Sequence, residues 1–204
     1  MPTGGKLEGA YITREQFLLR EMRVACQLKL EGLSDDEIIA RIKDQNLIQY
    51  PTERMVGNIA QVCVKRINAV DSEDIVRIIA TGSPEAAAQA NLYAMICTYP
   101  LVRDFMVNEI GRHYAEYDYA LGPMEMNAYI TRIQVEYPNI AMLSDATLKK
   151  IKQVLRKCLI ECGMLANARA TRLDTFFLDF DVKSAILAKD DYEVLAAFTA
   201  QGVF

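Results

Sequence analysis

The sequence predicts a mainly all-α fold built as two small helical domains. Nearly every long segment carries apolar residues at helical spacing. Hydrophobic residues make up 51% of the 204 positions, which is ample for a packed core. Capping residues, glycines and prolines separate the periodic segments.

Residues 14–31 form the first predicted helix, with Phe17, Leu18, Met22, Ala25, Leu28 and Leu30 as apolar contacts and Gly32 as its stop. Ser34 then caps a helix over SDDEIIARIKDQN, whose first turn carries Asp35, Asp36 and Glu37. Carboxylates there suit the positive end of the helix dipole. Asn46–Pro51 is a turn, and Pro51-Thr52 opens a helix to about Val70. On that helix Arg54, Asn58, Gln61 and Lys65 form a polar stripe, continued by Arg66, with Met55, Ile59, Val62 and Cys63 on the other side. Residues 34–67 therefore read as helix, turn, helix with a polar second helix. Such units often bind DNA through the second helix, although antiparallel helix pairs are common in any helical fold.

Asp71–Ala80 is a further short helix, and Thr81-Gly82-Ser83-Pro84 is the expected domain boundary, dividing the chain into 1–82 and 83–204. An alanine-rich helix covers Glu85–Tyr99, Pro100 breaks or kinks it, and Leu101–Tyr117 and 124–136 form the next two. Leu143–Leu165 is the most informative stretch. Ser144 can cap its start and Gly163 its end. At about 100° per residue, Leu148, Ile151, Val154, Leu155, Cys158, Leu159 and Cys162 share one arc. Lys149, Lys150, Lys152, Gln153, Arg156 and Lys157 share the opposite arc. A helix docked by the first arc presents a row of cations, as phosphate tracking requires; the competing reading is a solvated surface helix. After Gly163 the helical period is lost. Arg169 and Arg172 lie in a basic turn before the aromatic Thr175–Phe180, a pattern resembling a winged helix with a short β wing over 166–180, with an irregular crossover as the alternative. Asp191–Ala200 is the last predicted helix.

Charge is unevenly spread. The net charge is −4, yet residues 144–172 hold seven cations and two carboxylates, while residues 67–143 hold four and ten. A mildly acidic chain with one basic segment fits a bounded binding face better than general polyanion binding. The five cysteines are scattered, with no framework spacing, which suggests reduced buried thiols in cytosol. With a single histidine, His113, no metal site and no cofactor are expected. There is no phosphate-binding glycine loop, nucleophile elbow or zinc-protease signature. His113 sits in an amphipathic helix and reads as structural. Tyr114, Tyr117 and Tyr119 read as core-edge residues, with base stacking as the alternative. The longest charge-free stretch, Ala86–Val102, falls short of the ~20 apolar residues of a membrane span. The expectation is a cytoplasmic protein without an active site of its own and without membrane contact.

Four segments in order carry a family resemblance: GAYITREQFLLREMRVACQLKLEGLSDDEI, NLIQYPTERMVGNIAQVCVKRINAV, LVRDFMVNEI and LSDATLKKIKQVLRKCLIECGML. Together, over roughly 7–165, they resemble BrxA, the small helical protein of BREX bacteriophage-defence systems. The resemblance implies a mostly helical fold in two parts, association with double-stranded DNA and contact with other defence subunits. BrxA has also been likened to NusB, an RNA-binding antiterminator, so the resemblance leaves RNA open. Where the family favours an aromatic before the Ser-x-x-Thr helix, this chain has Met142-Leu143.

The combined expectation is a non-enzymatic, DNA-binding accessory protein. Lys149, Lys150, Lys152, Arg156 and Lys157 would contact phosphates, extended by Arg169 and Arg172. Arg54, Asn58, Gln61, Lys65 and Arg66 would form a second contact, with Arg14, Arg20 and Arg23 as weaker candidates. The alternatives are a protein-interaction scaffold using the acidic middle region and a NusB-like RNA binder.

Overall fold

A backbone carbonyl diverted from its own helix sets where the first long helix starts. In the computed structural model, which describes residues 6–8 and 10–198, Phe17 O accepts from Arg66 Nη1 at 2.9 Å and from Asn91 Nδ2 at 2.7 Å. Leu18 follows in a left-handed conformation with φ 52°, so α1 spans Leu19–Leu30 rather than beginning at residue 14. A single-turn 3₁₀ helix at Ala10–Thr13 lies upstream.

The helices that follow are α2 (Asp35–Asp44), α3 (Glu53–Val70), α4 (Glu73–Thr81) and α5 (Pro84–Thr98). All four start on side-chain caps, Ser83 accepting from Ala86 N at the start of α5. Ser34 and Glu37 form a reciprocal capping box, Thr52 accepts from Met55 N, and Ser72 accepts from Ile75 N. These elements, with residues 179–185, form one compact unit, Phe17–Thr98 plus Asp179–Ala185. Within it α1 packs on α4, α2 on α3, and α5 on both α3 and α4. Alanine-rich α5 is buried on nearly every side, which its small side chains allow. The expected boundary at 82/83 falls inside this unit, between α4 and α5. The connection between α2 and α3 runs over residues 45–52, longer than the roughly three- to four-residue turn of a helix-turn-helix motif.

The second unit comprises the described parts of Met1–Gln16, Tyr99–Leu178 and Ile186–Phe204. Its first rod joins α6 (Pro100–Asp104), a π-helical segment (Phe105–Ile110) and α7 (Gly111–Ala115). The wide turn closes through Gly111 N to Met106 O. The elements α8 (Pro123–Glu136), α9 (Pro138–Ala141) and α10 (Asp145–Glu161) follow. Finally come α11 (Phe180–Leu187) and α12 (Tyr192–Phe198). The last helix packs on the π segment and α7, where Gly111 allows close approach to Ala197. The fold is all-α.

The expected β wing does not form among the described residues. Residues 166–179 make one isolated antiparallel bridge, Ala120 with Arg172, flanked by Leu121 N to Thr171 O and Leu173 N to Tyr119 O. The segment pairs with 119–121 instead of folding back on itself, and the Arg156 guanidinium takes the carbonyls of Ala168 and Ala170. It is a strap rather than a hairpin. The short helices α9 and α11 also depart from the sequence reading. For α11 a signal was present: the Asp179 carboxylate accepts from Asp181 N and Val182 N, and Val182, Ala185 and Ile186 recur at helical spacing and are buried.

Candidate nucleic-acid interface

Helix α10 sets the geometry of the basic strip in the second unit. Ser144 Oγ accepts from Thr147 N at 3.3 Å, and Gly163 leaves the helix with φ +74°. The predicted apolar arc, Leu148 through Cys162, is buried at all seven positions. Docking of that arc turns the opposite one outward. Lys149 and Lys157 are exposed, and Lys150, Lys152 and Arg156 are half-buried. Arg169 and Arg172, on the strap, are exposed as well.

These seven cations differ in what holds them. Lys152 Nζ donates to Asn127 Oδ1 on α8 at 2.6 Å. The Arg172 guanidinium lies over the Tyr119 ring, 5.1 Å from its centroid. Arg156 donates to Leu121 O at 2.8 Å, Ala170 O at 2.6 Å and Ala168 O at 3.4 Å. It ties the strap to α10, and burial lowers its pKa from the ordinary value; an arginine stays charged at neutral pH regardless. Lys157 is 3.8 Å from Glu161. Among the described residues this is the strip's only carboxylate partner.

The acidic stretch 67–143 behaves in the opposite way. Each of its four cations is matched by carboxylates: Arg77 by Glu73 and Asp74, Arg103 by Asp191 and Glu193, Arg112 by Glu109 and Glu116, and Arg132 by Asp104 and Glu136. The strip contrasts with this: six of its seven cations have no carboxylate partner among the described residues.

A groove of about 400 Å³ opens within the strip, between the start of α8, α10 and the strap. Pro123, Met126, Ala168 and Ala170 supply apolar lining, and Lys149, Lys152, Arg156 and Arg169 supply cations. Among the described residues no carboxylate lines it. Sequence reasoning missed both this groove and Asn127, because each depends on α8 lying beside α10.

In the first unit, Arg54, Asn58, Gln61 and Lys65 share an exposed face of α3. Arg66 is a correction to the expected site: it is 0% exposed and holds the Phe17 carbonyl. The buried arc of α3 runs through Val56, Ala60, Cys63, Val64 and Ile67, one residue out of step with the arc expected from Met55 and Ile59. That rotation carries Arg66 inside and leaves Met55 exposed. Arg14 and Arg20 are exposed, whereas Arg23 donates to the carbonyls of Ile79 and Gly82 at the end of α4.

His113 is 1% exposed, with Nδ1 2.6 Å from Asp118 O and Nε2 3.4 Å from Glu109 Oε1. Tyr114 is buried and donates to Asp174 O, and its ring meets Tyr119 edge to face. Burial pushes the Tyr114 phenol well above its usual pKa. Tyr117 is exposed. No group of three or more His, Cys, Asp or Glu among the described residues is arranged to hold a metal ion. No helix among them is long and apolar enough to cross a membrane.

The BrxA family model matches residues 9–190. A relative described as "BREX protein BrxA" from Bacillus cereus (strain H3081.97) is 26% identical over 181 residues, covering 88% of this chain and 90% of its own. The protein of the same description from Escherichia coli O9:H4 (strain HS) is also 26% identical, over 79% of this chain and 76% of its own. A crystal structure of an uncharacterized protein from Magnetospirillum magneticum superposes with a TM-score of 0.81 at 19% identity, covering 96% of this chain and all of that one. That likeness speaks to the fold. With a family model spanning nearly the whole sequence and relatives matched along most of theirs, the chain belongs to the BrxA family.

Proposed function

We propose that this BrxA-family protein is a non-enzymatic accessory component of a BREX phage-defence system that binds double-stranded DNA through the α10 strip. Membership of the family implies the defence role. The DNA-binding reading rests on one observation. Six of the seven strip cations have no carboxylate partner among the described residues, while all four cations of residues 67–143 do. A row of uncompensated cations on a rigid helix suits a regular array of phosphates.

Lys149, Lys150 and Lys157 of α10, with Arg169 and Arg172, are the direct phosphate contacts in this reading. Lys152 is pre-positioned by Asn127, and Arg156 acts by holding the strap in place. Arg54, Asn58, Gln61 and Lys65 on α3 supply a second contact from the first unit. Lysine acts as a point charge rather than a bidentate reader, so sequence preference is weak. No catalytic role is assigned: the one histidine is buried against Glu109 and the Asp118 carbonyl. Cytoplasmic location and contact with other defence subunits belong to the same proposal.

The test is a salt titration of binding to matched duplex DNA, single-stranded DNA and RNA. Changing Lys149, Lys150, Lys157 and Arg169 to glutamine should flatten the slope of log affinity against log salt by about 0.9 for each lost phosphate contact. An unchanged slope in a folded variant removes this site. Tighter binding to RNA than to duplex DNA favours the NusB-like alternative, and no binding to any of them near 50 mM salt (roughly where such contacts are strong) favours the scaffold.

A further inference from the structure

A duplex backbone needs cations but has no use for a recessed apolar hollow among them. The groove beside α10 provides both. Its volume of about 400 Å³ lies at the lower end of the roughly 300–1,000 Å³ of small-molecule clefts. Met126 and Pro123 line it from α8. Its half-buried Arg156 is held by the three carbonyls of Leu121, Ala168 and Ala170. Three of its five N–H donors go to those carbonyls, which immobilises the guanidinium plane at the groove. Guanidinium planes stack on unpaired bases. Lys149 and Arg169 stand at the same groove with no carboxylate partner among the described residues.

We infer that this groove receives one unpaired nucleotide of a DNA strand, its base against Pro123 and the Arg156 plane and its phosphate on Lys149 and Arg169. The inference rests on the DNA-binding reading above and adds to it a preference for duplexes carrying an extruded nucleotide. Charge complementarity favours a polyanion, since four cations and, among the described residues, no carboxylate line the groove. The apolar lining favours a base over a bare phosphate.

The experiment measures binding of the full-length protein to a labelled duplex with one extrahelical nucleotide at its centre, and to the same duplex fully paired, at one salt concentration. The bulged duplex should bind roughly tenfold tighter, within the range that stacking of one base supplies. Ala168 is exposed and lines the groove. Ala168→Leu narrows it without adding charge or an aromatic face. That variant should bind both duplexes with the affinity the wild type has for the paired one, which also shows that it folds. Equal affinities in the wild type overturn the inference and leave the duplex reading standing. A preference that persists in Ala168→Leu overturns it as well, because flexible DNA then explains the effect. Tighter binding of a bulged RNA than of the bulged DNA overturns the choice of strand. Failure to bind either duplex removes the duplex reading and this inference with it.

Discussion

Arg156 and Lys149 lie on the same basic arc of α10, but the structure gives them different work, and one substitution separates them. Arg156→Met keeps the aliphatic stem and removes the guanidinium. Two short bonds, at 2.8 Å to Leu121 O and 2.6 Å to Ala170 O, are lost with a longer one at 3.4 Å to Ala168 O. Hydrogen bonds from charged groups contribute roughly 1.5–3 kcal/mol each. The side chain is only half-buried, so the lower end applies, and two short bonds give about 3 kcal/mol. For a chain of this size that lowers Tm by about 6–12 °C. Lys149→Gln removes an exposed charge with no carboxylate partner among the described residues. Its stability should stay within about 0.5 kcal/mol of wild type, and its salt slope for duplex binding should fall by about 0.9. Thermal melting of both variants, with salt titrations at the same temperature, provides the readout. An Arg156→Met protein that melts with the wild type would refute the claim that this guanidinium holds the strap.

Other outcomes follow from the same reasoning. Arg66→Met should lower stability by about 3 kcal/mol, in the range for stripping a buried charged group from its partners, and leave the salt slope of DNA binding unchanged. A variant that weakens binding at full stability would return Arg66 to the interface. Gly111→Ala places a Cβ 3.1 Å from Ala197 Cα and 3.2 Å from Ala197 Cβ. Crowding of roughly 1–3 kcal/mol outweighs the helix-propensity gain of about 1 kcal/mol, so urea denaturation should show a net loss, and a gain would contradict the close approach of α12. Burial pushes the Cys63 thiol up to about 12, with Arg66 opposing and Glu21 adding to the rise, and it raises Cys26 further still. The folded state therefore holds these protons more tightly than the unfolded chain. The associated stability is intact below about pH 9 and is lost as pH rises toward the folded-state values. Labelling of Cys26 and Cys63 at pH 8 should track global unfolding, and rapid labelling of Cys63 in the native protein would show the burial to be wrong.

Local signals along the chain carried much of this reading. Ser34, Thr52 and Ser144 cap the helices they were expected to open, because a cap needs only a hydroxyl and the amides that follow it. The seven-residue apolar arc of α10 was legible for the same reason: period and burial coincide when a helix docks on one side. The buried arc of α3 lies one residue from the expected one. Its polar and apolar positions are interleaved, and only the packing of α1, α2 and α5 around it determines which arc turns inward. Phe17 O is held by side chains 49 and 74 residues away, a separation at which no local pattern operates.

The sequence by itself determined the all-α class, most helix starts, the family and the segment in which uncompensated cations concentrate. These follow from periodicity, capping chemistry and charge counting, all of which act within a few residues. Tertiary structure alone decided which of the candidate cations are exposed and which are committed to the fold. Arg66 and Arg156 hold backbone carbonyls, Lys152 leans on Asn127, and Lys149 and Arg169 have no carboxylate partner among the described residues. The physical reason is that a guanidinium binds whichever acceptors chain crossings bring within reach, and those crossings join residues that lie far apart in the sequence.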